Sequence, residues 1–201
     1  MKILFLILAL ISFPSAANIP AEIVKWSKAH VFKVKVNGGS GSAFFISDTK
    51  AITACHVVDQ NVVVRVFNAT SSYHMVVEKC NRELDLAVLS LRAGEKVGFK
   101  ASINPDQPAL GLTLYAPGYP LGYRLNIGTG HAQSQYNGSI FFTTTPTMKG
   151  DSGSPVLSLV SGVIQVEGVR IAIMGTSPKM LVPHLALARS GKAINQLLGL
   201  D

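Results

Sequence analysis

Between His30 and Val36 the chain alternates, with Phe32, Val34 and Val36 on one side and Lys33 and Lys35 on the other, the two-residue period of a half-buried strand. Gly38-Gly39-Ser40-Gly41 reads as a turn, and residues 42–47 with 51–53 as the next hairpin. Apolar or alternating runs recur at 62–67, 74–77 and 86–91, and again at 112–116, 125–132, 140–144, 155–160, 162–166 and 169–174. So many short strands without long helical periods predict an antiparallel barrel or sandwich. The polar, turn-rich segment 92–110, with Gly94, Gly98, Pro105 and Pro108, divides the strands into two halves and reads as a connector. Two stretches differ. Residues 21–29 form a helical or an extended lead-in, and Leu185, Leu187, Ala188, Ala193, Ile194 and Leu197 recur at roughly helical spacing, predicting a terminal helix over about 183–199.

Length and composition narrow this picture without changing it. A chain of 201 residues has room for one domain, or two half-domains around one cleft. Its 48% hydrophobic and 14% charged residues exclude a disordered or collagen-like chain, and 18 Gly with 10 Pro suit strands joined by turns.

The N-terminus adds a compartment. Lys2, the apolar stretch from Ile3 to Phe13, Pro14 and the small residues Ser15, Ala16 and Ala17 follow the order of a secretory signal peptide, residues 1–17. The apolar run is shorter than the roughly 20 residues a membrane-spanning helix needs, so no stable membrane anchor is expected after cleavage. The mature chain, 18–201, is expected to be secreted or periplasmic.

A formal charge of +7 raises nucleic acid as a partner, but the lysines and arginines stand singly rather than in runs, and no nucleic acid is expected. The five histidines and two cysteines form neither a His-Glu-x-x-His nor a Cys-x-x-Cys arrangement, so no metal and no cofactor are expected.

Three segments carry candidate chemistry. In Lys149-Gly150-Asp151-Ser152-Gly153-Ser154-Pro155 a hydroxyl nucleophile sits between glycines. Serine is weak until a base takes its proton, and a tetrahedral intermediate needs backbone N–H donors. Gly150 permits a backbone conformation that aims its own N–H and that of Ser152 at one point. His56, at the end of the apolar run 51–54, is placed as general base. Asp85 opens the apolar run 86–89, where a carboxylate needs hydrogen-bond donors, the His56 ring N–H among them. Asp59 and Glu83 compete for that role, and each reads as a solvated turn residue.

The order His56, Asp85, Ser152, the Gly39-Ser40-Gly41-x-x-Phe44 hairpin, Asp85-Leu86-Ala87-Val88-Leu89 and Gly150-Asp151-Ser152-Gly153-Ser154-Pro155 together resemble the chymotrypsin-like serine peptidases. His56-Val57-Val58 and Gly118-Tyr119-Pro120-Leu121-Gly122 look closest to the bacterial HtrA/Deg and glutamyl-endopeptidase branches, although no PDZ module is expected here. The resemblance implies an all-β fold of two six-stranded antiparallel barrels, the first over about 30–92 and the second over about 111–177, with a short C-terminal helix. It also implies a serine endopeptidase acting on polypeptides, with His56, Asp85 and Ser152 as its triad and the Gly150 and Ser152 N–H groups as its oxyanion hole. The other expectation weighed against it is a catalytically inactive peptide-binding protein on the same fold.

By the same resemblance, Pro146 and Thr147 line a primary specificity pocket faced by Ile173, Met174 and Gly175. With no acid at its base, the pocket suits a medium-sized apolar side chain rather than Arg or Lys. Relatives pair an acid at the place of Asp151 with a newly cut N-terminus; here Ile19, Lys149 or another group is the partner. A fold that joins His56 to Asp85 also draws Cys55 and Cys80 together. Export favours a disulfide between them over two buried thiols.

Overall fold

The computed structural model describes residues 18–177 and 180–200. The expected signal segment and its cleavage point lie outside the described residues. The lead-in is the helix α1 (Ala21–His30), with Glu22 in its first turn and Lys28 and His30 in its last, the charge order that the helix dipole favours. It buries Ile23 and Ser27 and lays Trp26 and His30 against Phe99 of the connector, His30 stacked on that ring at 3.6 Å.

The alternating runs become β1 (Val31–Val36), β2 (Gly39–Phe45), β3 (Lys50–Ala54), the single turn α2 (Cys55–Val58), β4 (Val63–Phe67), β5 (Ser72–Asn81) and β6 (Leu86–Ser90). They close in the order β1-β2-β3-β6-β5-β4. After the connector come β7 (Thr113–Gly118), a turn at Pro120–Gly122, β8 (Asn126–Tyr136), β9 (Ile140–Thr143), β10 (Pro155–Val160), β11 (Val163–Ser177), β12 (Met180–Ser190) and α3 (Gly191–Leu198). The second barrel closes as β7-β8-β9-β12-β11-β10, the first barrel's order again, although the halves show no sequence repeat. Closure leaves no free sheet edge in either barrel.

The end of the chain departs from the sequence expectation. Residues 183–190 lie in strand β12, which pairs with β9 and β11, so the second barrel runs past 177 and the helix covers only Gly191–Leu198. Ala186 and Ala188 point inward, fully buried, while Leu187 packs on the other side of the same strand against the core between the barrels. With apolar residues on both faces the two-residue alternation disappears from the sequence. Residues 162–166 and 169–174, read as two strands, are one strand, β11, whose register against β10 shifts at Val156/Leu157.

The largest apolar cluster is the seam between the barrels. Phe44, Ile52 and Leu86 of the first barrel meet Leu157, Val166 and Val169 of the second, with Ile23 of α1 and Ala193, Ile194 and Leu197 of α3. The connector is fastened to both sides: the Phe99 N–H donates to Asp48 Oδ1 at 2.6 Å, and Asn104 Nδ2 donates to Glu167 at 2.7 Å. The relative position of the barrels, and of any side chains facing each other across the seam, is thereby fixed.

Candidate active site

His56 follows Cys55 in the turn α2, immediately beyond β3, and Asp85 immediately precedes β6. Because β3 and β6 are neighbours, with Ala54 opposite Leu86, the two residues meet. Asp85 Oδ1 accepts the His56 backbone N–H at 2.9 Å, and Oδ2 lies 2.8 Å from His56 Nδ1. The Asp85 carbonyl accepts the Cys55 N–H at 3.1 Å. Asp85 does this with φ +53, the left-handed region that Asp tolerates better than most residues. The carboxylate hydrogen bond raises the His56 pKa above 6.5, burial opposes the rise, and the carboxylate's charge adds to it.

Asp59 turns away to a bidentate contact with Arg82 at 2.9 and 3.0 Å. The carbonyls of Glu83 and Leu84 accept hydrogen bonds from Arg189 at 2.5 and 2.7 Å. Arg189 sits on β12, so the second barrel braces the turn that carries Asp85. The Cys55–Cys80 disulfide is formed, with Cα atoms 5.2 Å apart, and ties α2 to β5 beside this pair.

Ser152 arrives from the second barrel, on the loop between β9 and β10. The loop is clamped to β2: the Ser42 N–H donates to the Ser152 carbonyl at 2.8 Å, Ser42 Oγ donates to the Gly150 carbonyl at 2.9 Å, and Ser42 Oγ accepts the Tyr119 N–H at 3.0 Å. Gly150 has φ +94 and Gly153 φ +85. A side chain at Gly153 would also meet the Ser42 carbonyl at 2.2 Å, so glycine is required there on both counts. Neither the Gly150 nor the Ser152 N–H is used in a backbone hydrogen bond among the described residues, which leaves both as free donors. His56, Ser152, Gly150 and Lys149 line one open cleft of about 380 Å³ with Gly39 and Ser40. No hydrogen bond links His56 to Ser152 among those described; in unliganded sites such contacts are often long and tighten around substrate.

The residues expected to line a specificity pocket fall on two segments, one ahead of the nucleophile loop and one along β11. Thr147 is buried and Pro146 exposed, just ahead of the nucleophile loop. The strand beside that loop is set by Arg170, whose carbonyl accepts the Gly153 N–H at 2.7 Å and whose N–H donates to the Ser154 carbonyl at 2.9 Å. Val169 to Ile171 is therefore the part of β11 that runs beside the Gly153–Ser154 end of the loop. Ile173, Met174 and Gly175 lie on the same strand but further along, where Ile173 pairs with Ala186 and Gly175 with Leu181.

Asp151 is paired neither with Lys149, which is exposed in the cleft, nor with Ile19, which packs on the seam core. Its Oδ1 lies 3.3 Å from Arg170 Nη2, and its Oδ2 accepts the Met148 N–H at 2.9 Å. The sequence reading missed Arg170. Its signal was an arginine between Val169 and Ile171 in an otherwise apolar run, since a buried cation demands an anion nearby. Ser42 and Arg189 carried no comparable mark.

No cluster of metal-ligating side chains occurs among the described residues, and none of their helices is long and apolar enough to cross a membrane.

Two six-stranded barrels meeting at a cleft lined by Ser152 and by His56, itself paired with Asp85, have the architecture of the trypsin fold. The family model "Trypsin-like peptidase domain" matches residues 41–164, more than half of the chain, and the chain belongs to that family. A curated relative, the putative mitochondrial protease Do-like 3 of Arabidopsis thaliana, is 36% identical over 89 residues, 41% of this chain and 15% of its own length. This chain therefore matches only a small part of that relative. Among solved structures, the inactive form of the protease Rv3671c from M. tuberculosis superposes with a TM-score of 0.74 at 19% identity, covering 93% of this chain and 98% of its own. The serine endoprotease from Yersinia pestis gives 0.75 at 17%, covering 90% and 67%. At these identities the superpositions establish the fold, and family membership supports a serine protease.

Proposed function

We propose that the protein is a secreted or periplasmic serine endopeptidase that cleaves polypeptides through an acyl-enzyme on Ser152. The observation that carries this reading is His56, paired with Asp85 at 2.8 Å between ring and carboxylate and lining one cleft with Ser152. Ser152 Oγ attacks the scissile carbonyl while its proton passes to His56 Nε2. The Gly150 and Ser152 N–H groups hold the oxyanion, and Asp85 keeps Nδ1 protonated and stabilises the imidazolium. Collapse breaks the C–N bond as His56 returns the proton to the leaving amine. Water then enters by the same route in reverse and releases the acid.

Cleavage of an unfolded protein by the purified mature form, with covalent labelling by a fluorophosphonate, tests the proposal. Ser152→Ala is expected to abolish both while the protein stays folded. A wild-type protein that binds unfolded chains but neither cleaves nor labels would instead be an inactive peptide binder.

A further inference from the structure

Arg170 is the largest fully buried side chain among the described residues, 2% exposed. A guanidinium carries five N–H donors and no acceptor, and each one left unpaired in a protein interior is costly. Here they are distributed around the nucleophile loop. Nε donates to Ser154 Oγ at 2.7 Å, Nη1 to the Pro146 carbonyl at 2.9 Å, and Nη2 to the Ala116 carbonyl at 3.3 Å while lying 3.3 Å from Asp151 Oδ1. Pro146 precedes the loop, Asp151 adjoins the nucleophile, Ser154 follows it, and Ala116 belongs to β7. One side chain thus fastens both ends of the loop and its middle to the barrel wall.

Asp151 depends on this contact. Its Oδ1 is buried with no hydrogen bond from any of the described residues, so the ion pair with Arg170 is what they give that oxygen. Burial pushes the Asp151 carboxyl up and the Arg170 guanidinium down, and each partner's charge counters the other's shift. Among the described residues Arg170 is the cation within ion-pair distance of Asp151. Ile19, close to the described start of the chain, packs elsewhere on the seam core.

We propose that Arg170 is a positioning residue that holds residues 149–153 in the shape that presents Ser152 and the two oxyanion N–H groups, so that the loop is set on folding without an activating cut upstream. The inference rests on the proposed reaction only for its kinetic readout; the loop's order is measured separately. Arg170→Met leaves a buried carboxylate unpaired and cuts all four ties. Amide exchange across 149–153 should then quicken at least about tenfold. Turnover should fall on the order of 10² with KM changed little, the loss expected when an oxyanion donor is misplaced.

The double variant Asp151→Asn/Arg170→Met removes the unpaired charge. It is expected to recover thermal stability but not turnover or slow exchange, whereas Arg170→Lys should keep part of both. A purification tag left ahead of Asn18 should leave kcat within about twofold of the untagged form. Unchanged exchange in Arg170→Met, full recovery of kcat together with Tm in the double variant, or activity that appears only after tag removal would each overturn the inference. If Arg170→Met does not fold, the double variant and Arg170→Lys decide it. A wild-type protein without turnover defeats the proposed reaction, and the exchange measurement still decides the role of Arg170.

Discussion

The two barrels share a strand order and differ in what fills them. The first is packed with hydrocarbon: Phe32, Phe45 and Tyr73 meet edge to face with ring centroids 5.1 to 5.8 Å apart, surrounded by Val34, Val64, Val66, Met75 and Leu89. Among the described residues, the second has a smaller apolar core of its own, built from Leu114, Ala132, Phe141, Val156 and Ala188 with Leu112 packed against it. Beside it are buried Arg170, Asp151 and Glu167, with Glu167 held by Ser158 at 2.5 Å and by Asn104. Apolar packing is non-directional and makes a stiff platform; buried polar networks specify geometry because each group must find its partner. The first barrel carries His56 and Asp85 at the ends of paired strands, where strand register brings them together and Arg189 braces the turn before Asp85. The second must hold a loop in an uncommon backbone shape, and it does so with directed bonds.

If that division holds, the largest effect in the first barrel comes from the side chain that orients the base. Asp85→Asn should lower kcat about 10⁴-fold, the size known for the same change in the trypsin triad, by favouring the wrong His56 tautomer. Asp59→Asn and Glu83→Gln should stay close to wild type. Steady-state kinetics that reverse this ranking would remove Asp85 from the site.

Stability is the next contrast. Phe45→Ala, at 1% exposure among two other rings, should cost about 3–5 kcal/mol in denaturant unfolding. Below its melting temperature it should keep kcat within a few-fold of wild type, because the barrel's filling does not aim the catalytic groups. A proportionate loss of kcat would show that the first barrel positions its residues through packing after all.

Smaller is the effect of the disulfide. Cys55 and Cys80 are 25 residues apart, and removing the bond in Cys55→Ser/Cys80→Ser should cost about 3 kcal/mol by the chain-entropy estimate. The His56–Asp85 contact has its own strand register, so kcat should fall much less than stability.

Smallest is a displacement along the pH axis. His56 must be neutral to act as base, so kcat/KM should be present above its pKa and lost as pH falls through it. That inflection should lie above 6.5, because Asp85 raises the pKa against the effect of burial. Asp85→Asn should move the residual activity's inflection downward; an unmoved inflection would mean that another group titrates.

The sequence by itself determined the strands with one polar face, the turns between them, and the order of the three site segments. These are local: alternation, glycine at uncommon backbone angles and a carboxylate opening an apolar run all act within a few residues. It also marked Cys55 and Cys80 as neighbours once His56 and Asp85 were paired. Only the tertiary structure decided that residues 183–190 are a strand, because β12 is covered on both sides and its alternation is erased. Only the tertiary structure separated Arg170 from Lys149 and Ile19 as the partner of Asp151, and set Arg170 beside Gly153 and Ser154. Those outcomes depend on register between strands distant in sequence, where a shift of one residue exchanges the inner and outer faces. Barrel closure, rather than any local pattern, fixes that register.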